Sequence, residues 1–443
     1  MKSYMSPAPE IALRYGHGTV TVPLPPGADV YSAGHPEPTL PADELVMRAV
    51  AEPTGTPPLP EALDRRRPGE VVVVVSDVTR PIPYRSFLPR LLSTCERAGV
   101  ARNDIVILVA TGMHRASTPA ERAGMFGPAI ADSYRIVDHD ADDEASLADL
   151  PAPSRSGVRV RLDRRYLAAG FRLVTGLVEP HFMAGFSGGR KTICPGLASL
   201  DTVRNFHGAA FLADPNARNG NLEENPLHLE ALSVARLAPP DFTLNVVLDP
   251  AGRVCRAFAG ALEPAHDAAC DFVRSYACRT VRRQADVVLT SSGGHPLDAT
   301  FYQCVKGFVS CLPAVKVDGT IIAVGACAEG VGGPEYRGIM ERYSGRWREF
   351  LSRIREPGVL VRDQWQFQMH TRTLERVGES RIHFVTDGLP AEVLGRLSVS
   401  GHAVPAGGVE AATRRLLDDL LAPGASLAVF PEGPYYAPLE PSA

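Results

Sequence analysis

The run of five consecutive valines at Val71–Val75, inside an apolar stretch from Glu70 to Ser76, constrains this chain most. A strand with one face in water alternates apolar and polar residues; an unbroken run of β-branched residues belongs to a strand covered on both faces. Comparable runs follow at Ile105–Ala110, Tyr134–Val137 and Phe171–Val178. Helical patterns come between them, at Arg85–Ala98 and from Thr118-Pro119-Ala120-Glu121 onward. Strand–loop–helix repetition of this kind predicts a largely parallel α/β sheet.

A chain of 443 residues exceeds one ordinary core, so two or three domains are expected. A short β-rich segment at Ile11–Val22 and a proline-rich loop at Pro23–Pro60 precede the first run. The helical stretch Ala265–Thr280, followed by Arg282-Arg283-Gln284, marks a boundary. Beyond it the alternation restarts: strands at Ala285–Thr290, Thr320–Val324 and Arg381–Val385, helices at Thr300–Ser310 and across Glu335–Arg355. The expected organisation is an α/β domain over 1–281 and a second over 282–400, with an active-site cleft between them. A helix at Val409–Leu421 and a strand at Ser426–Phe430 leave 405–443 free to join either, with the first as one option.

Lys+Arg 46 against Asp+Glu 50 gives a net charge of −4, which argues against a nucleic-acid or membrane-surface binder working by bulk charge. The longest apolar run is far below the ~20 residues of a spanning helix, and the first ten residues lack the apolar core of a signal peptide. Eight cysteines without a C-x-x-C pair read as reduced, mostly buried thiols, and cytoplasm is the expected compartment. Only four lysines occur, at 2, 191, 306 and 316. In a chain that otherwise draws its positive charge from arginine, Lys191 and Lys306, set in dense polar motifs, are candidates for chemistry a guanidinium cannot perform.

Ligands of open parallel sheets bind beyond the carboxyl ends of the strands. Three strand exits deliver polar residues there: Asp77 and Arg80, His114 and Arg115, and His181. The densest segment is Pro180-His181-Phe182-Met183-Ala184-Gly185-Phe186-Ser187-Gly188-Gly189-Arg190-Lys191. Its glycines would let backbone amides approach an anion, and a helix opening near Ser199 would add its positive end. Gly185 and Lys191-Thr192 match a P-loop, but Arg190 replaces the second glycine, so a nucleotide hydrolase is the weaker alternative. A non-enzymatic two-domain binding protein is another. Asn205-Phe206-His207 and Asn225-Pro226-Leu227-His228 add single imidazoles without paired zinc spacing, so a metal here would need most of its ligands from elsewhere. In the second domain Gln303 and Lys306 fall three apart on one helix face, a plausible clamp for a carboxylate and a hydroxyl, and Trp365 follows Asp363-Gln364.

Taken together, Asp77-Val78-Thr79-Arg80-Pro81, Thr111-Gly112-Met113-His114-Arg115, the Pro180–Lys191 loop, His207, the Gln303/Lys306 pair and Asp363-Gln364-Trp365 resemble the nickel-pincer lactate racemase family. The resemblance spans residues 77–365, with the motifs in the same order. It implies a racemase or epimerase that inverts the α-carbon of a 2-hydroxy acid. The implied cofactor is a nickel-pincer nucleotide, a pyridinium-3-thioamide-5-thiocarboxylic acid mononucleotide holding nickel, tethered covalently at Lys191, with His207 as the protein ligand to the metal. One imidazole then suffices, because the organic ligand fills three positions of a planar Ni(II) site. His114 and His181 would be the acid/base pair, moving the hydroxyl proton while hydride passes to the cofactor and back. Arg80, Lys306 and Gln303 would hold substrate oxygens, and Trp365 would shape the pocket. Asp77 would orient Arg80 or bind cofactor, and the amides of Ser187, Gly188 and Gly189 are candidates for its phosphate. Implied partners are the enzymes that build the cofactor and insert nickel. The choice of hydroxy acid stays open, with His295, Pro296, Phe301 and Tyr302 as wall candidates.

Overall fold

The computed structural model describes residues 9–356, 359 and 361–441, so Lys2 lies outside the described residues. The protein divides into two compact units, one comprising His35–Ala217 and Asn221–Tyr276, the other running through Gly34, Arg218–Gly220 and from Ala277 onward. Each is a mixed α/β layer structure around a six-stranded sheet.

In the first unit the valine run forms the strand Val71–Ser76, buried at every residue. It pairs in parallel with Ile105–Ala110 on one side and Phe171–Leu177 on the other. Arg135–Asp138 and Phe242–Leu248 extend the sheet in parallel, and Val254–Gly260 closes one edge antiparallel. One face of the valine strand meets Leu45, Val46 and Val50 of the Ala42–Ala51 helix and Leu88, Leu91 and Leu92 of Leu88–Arg97. The chain steps from Val71–Ser76 to Ile105–Ala110 on one side and then returns to place Phe171–Leu177 on the other. Strand order therefore reverses at the valine strand, and the crevice beyond its carboxyl end is where such sheets bind ligands.

In the second unit Ala285–Ser291 is central, parallel to Val315–Val324 and to Leu427–Phe430. Ile382–Thr386 and Ser400–Ala403 continue one flank, and Asp29–Val30 ends the other. No helix among the described residues is long and apolar enough to cross a membrane. All eight cysteines are buried free thiols.

Several boundaries differ from the sequence expectation. Residues 9–34, expected with the first domain, belong to the second unit. Asp29–Val30 caps the open edge of Leu427–Phe430, and the antiparallel hairpin Glu10–Tyr15/Gly18–Pro23 sends Leu13, Val20 and Val22 into the core with Val287 and Leu289. The 405–443 segment lies in that unit too, because Val409, Leu417 and Val429 join the same core. The expected Pro23–Pro60 loop contains the Ala42–Ala51 helix, entered from Pro41. The expected helix over Glu335–Arg355 is two, Pro334–Tyr343 and Trp347–Ile354, parted at Gly345, whose φ of +66° ends the first.

Candidate active site

The residues expected at the three strand exits of the first unit are brought together in pairs. Asp77 leaves the valine strand and is buried; its Oδ2 stands 2.6 Å from His114 Nδ1, and its Oδ1 accepts the Thr79 hydroxyl at 2.7 Å. Burial pushes the Asp77 carboxyl up, but the hydrogen bond and charge of His114, with Thr79 and Arg80, outweigh it and hold the group below the usual carboxylate range. Since a carboxylate only accepts, His114 Nδ1 donates, and in the neutral ring Nε2 carries the lone pair. The His114 loop is fastened underneath: its amide donates to Thr111 O at 3.0 Å, and the Thr111 hydroxyl donates to the carbonyl of the buried His139 at 2.6 Å.

Arg80, from the same exit as Asp77, pairs with Glu179 at 3.7 Å. Glu179 precedes a small antiparallel ribbon, Pro180–His181 against Gly185–Phe186. Gly185 is required there: at φ +78° a Cβ would stand 2.0 Å from Asn221 O. Inside the ribbon His181 Nδ1 accepts the Met183 and Ala184 amides at 3.3 and 3.2 Å. In the neutral ring the proton must then sit on Nε2, and since an ammonium only donates, the 3.1 Å contact with Lys191 Nζ is a hydrogen bond only when that amine is neutral. The Lys191 amine also lies 5.8 Å from the centre of the Phe206 ring. His207 caps the Leu200–Phe206 helix edge-on to that ring. Burial, followed by the charge of Lys191, lowers its pKa to about 3, so its imidazole is neutral at any physiological pH.

Ser187, Gly188 and Gly189, expected to cradle a phosphate, also hold the loop together. The Ser187 amide donates to Glu179 O at 3.0 Å and its hydroxyl to Leu177 O at 2.7 Å, while the Gly189 amide donates to Asn245 Oδ1 at 3.0 Å. Gly188 packs so closely that a Cβ would lie 2.7 Å from Val178 Cγ2. Two of the three amides are thus bonded within the unit.

Arg190, which breaks the P-loop pattern, is 1% exposed. Its guanidinium donates to Ala184 O at 2.8 Å and meets His266 Nε2 at 2.9 Å, tying the ribbon to the Leu262–Ala277 helix. Burial lowers its pKa to about 10. His266 and Asn245 were missed from sequence because each is a lone polar residue in an otherwise ordinary helix or strand. Glu179 was legible as part of Glu179-Pro180-His181.

In the second unit Gln303 and Lys306 do share one partly buried face of the Phe301–Ser310 helix, which follows the carboxyl end of the central strand. Trp365 is buried in the Gln364–Val377 helix and donates through Nε1 to Tyr302 OH at 2.9 Å. Tyr302 is therefore fixed between the two helices.

A lysine and three histidines thus stand on the loops beyond the carboxyl ends of the first unit's sheet, a candidate enzyme site. The Lactate racemase N-terminal domain model matches residues 15–220, and the Lactate racemase C-terminal domain model matches residues 280–434. The chain is 36% identical over 371 residues to the lactate racemase of Thermoanaerobacterium thermosaccharolyticum, covering 82% of this chain and 85% of that one. It is 35% identical over 333 residues to the lactate racemase of Lactiplantibacillus plantarum, covering 75% of this chain and 77% of that one. The structure of the lactate racemase apoprotein from the Thermoanaerobacterium species superposes with a TM-score of 0.87 at 31% identity, over 98% of this chain and all of that one. The chain belongs to the lactate racemase family and is an isomerase of that family.

Proposed function

We propose that this enzyme inverts the α-carbon of a 2-hydroxy acid, lactate or a close relative, with a nickel-pincer nucleotide tethered at Lys191. The observation that carries the reading is the approach of Lys191 Nζ to His181 Nε2 at 3.1 Å, with a neutral His207 beside the same amine. The donor chemistry fits the cofactor: a lysine can form the covalent link, and an imidazole without a proton on its ligating nitrogen can bind Ni(II). When bound, the group supplies a carbon that accepts and returns hydride next to nickel.

The protein's own part is proton placement and orientation. His114, with Nδ1 donated to Asp77, offers its Nε2 lone pair to the substrate hydroxyl. His181, whose Nδ1 accepts two amides in this structure, would act as the acid from its imidazolium form, for which the ring must release those amides. In the opposite direction the two histidines exchange these roles. Arg80 is the carboxylate-binding candidate, held by Glu179 when no substrate is bound. Lys306, Gln303 and Trp365 are proposed, on the resemblance alone, to hold the acid's remaining oxygens and shape the pocket. Enzymes that assemble the cofactor and insert nickel are the proposed partners, and the cytoplasm the proposed compartment.

The test is the intact mass of protein co-produced with the cofactor-building enzymes, followed by chiral chromatography of single-enantiomer hydroxy acids. An adduct that Lys191→Ala abolishes, bound nickel and racemisation are expected. An unmodified Lys191 in fully active protein would reject the tether. Deuterium at the substrate α-carbon is expected to remain in the product; washout into solvent would reject hydride return.

A further inference from the structure

His207 terminates a short helix, and the hydrogen bonds behind it lead to one buried carboxylate. Glu230, in the Pro226–Leu237 helix, is 3% exposed. Its Oε1 accepts the Ser156 hydroxyl at 2.7 Å and Asn205 Nδ2 at 3.3 Å, and its Oε2 accepts the Ser156 amide at 3.1 Å. Asn205 Nδ2 also donates to Ser156 Oγ at 3.0 Å. The backbone carbonyl of this same Asn205 takes the His207 amide and, at 2.9 Å, the Gly208 amide. The last turn of the His207 helix is thereby pinned from its side chain on one side and its carbonyl on the other.

The same supporting helix reaches the His181 ribbon. Its N-cap, Asn225, accepts the Leu227 and His228 amides and donates through Nδ2 to Met183 O at 3.0 Å. Asn225 and Glu230, on one rigid element, thus set the ribbon that carries His181 and the turn that carries His207.

We infer that Glu230, acting through Asn205, is the positioning residue that aims His207 at the metal. The inference rests on His207 being the nickel ligand. Residues behind a ligating imidazole typically govern metal affinity by about 10- to 100-fold. An imidazole on an untethered helix end loses that preorganisation without losing its donor atom.

The experiment compares full-length parent, Asn205→Ala, Glu230→Ala, Glu230→Gln and His207→Ala, each co-produced with the cofactor-building enzymes. Three quantities are read: the Lys191 adduct by intact mass, nickel per adduct by elemental analysis, and the rate of nickel loss to a chelator. Asn205→Ala and Glu230→Ala are expected to keep the adduct and lose nickel about tenfold or more faster than the parent. Glu230→Gln keeps an oxygen facing Asn205 but sets an NH2 against the Ser156 amide, and is expected to lose nickel at a rate between those of the parent and Glu230→Ala. If Glu230→Ala does not fold, Asn205→Ala alone decides. Parent-like nickel retention in Asn205→Ala, with rapid loss in His207→Ala, overturns the inference; so does loss of the adduct along with the metal. Parent-like retention in His207→Ala overturns instead the assignment of the ligand on which it rests.

Discussion

Asp77 Oδ2 receives a 2.6 Å hydrogen bond from His114 Nδ1, and this bond decides which nitrogen of the neutral imidazole carries the lone pair. Replacing Asp77 with Asn removes the charge and lets the ring adopt the other tautomer. A loss of about 10²-fold or more in kcat is expected, the scale of a misplaced acid/base group. The Lys191 adduct should be unchanged by mass, which separates proton placement from cofactor attachment.

The same carboxylate makes a pH signature in stability. Its folded pKa is lowered, so its contribution is complete above its unfolded value of about 4 and is lost as pH falls through the folded value. Urea titrations of the parent and of Asp77→Asn should therefore differ by a constant amount between pH 5 and 7, and converge in acid. A gap that widens below pH 4 would contradict the ion-paired geometry.

His114→Ala and His181→Ala should each retain the adduct and lose most racemisation, since each leaves one direction without its proton carrier. Near-normal turnover in either would refute the two-histidine scheme.

Gly185→Ala places a Cβ 2.0 Å from a backbone oxygen in a left-handed conformation. A cost of about 2–4 kcal/mol is expected from the two effects together. Denaturant unfolding measures it, and Gly338→Ala, where nothing lies within 4 Å of the added carbon and φ is not positive, is the control that should be neutral or better.

Arg190→Lys keeps a positive charge but cannot reach both Ala184 O and His266 with one ammonium. Lower stability and a lower yield of Lys191 adduct are expected, because the ribbon carrying His181 loses its tie. Parent-like loading would show that the tie is dispensable.

The sheet of the first unit was legible because apolar runs buried on both faces carry little else, and the strand exits followed from them. Asp77, His114, His181 and Lys191 were legible as polar residues at those exits. The pairings were not. Asp77 with His114, and Lys191 with His181, depend on which strands are neighbours, and strand order is not written in any local pattern. The neighbours of the Ser187–Gly189 loop were hidden for a related reason: glycines that let a backbone approach an anion also let it approach a strand, and here those neighbours are Leu177, Val178 and Asn245. The Ala42–Ala51 helix was hidden by the prolines around it, although Pro41 is well placed at its start.

The pairing of Asp29–Val30 with Leu427–Phe430 has a consequence for how the polypeptide can be cut and how it is made. On the ribosome the leading hairpin emerges long before the segments it will rest on, and must wait, half-covered, until nearly the whole message has been read. An excised fragment beginning at Ala277 would carry a bare β edge and a core missing Leu13, Val20 and Val22, so it should self-associate rather than fold cleanly. Grafting the leading segment onto the far terminus through a short linker would let both pieces be synthesised together.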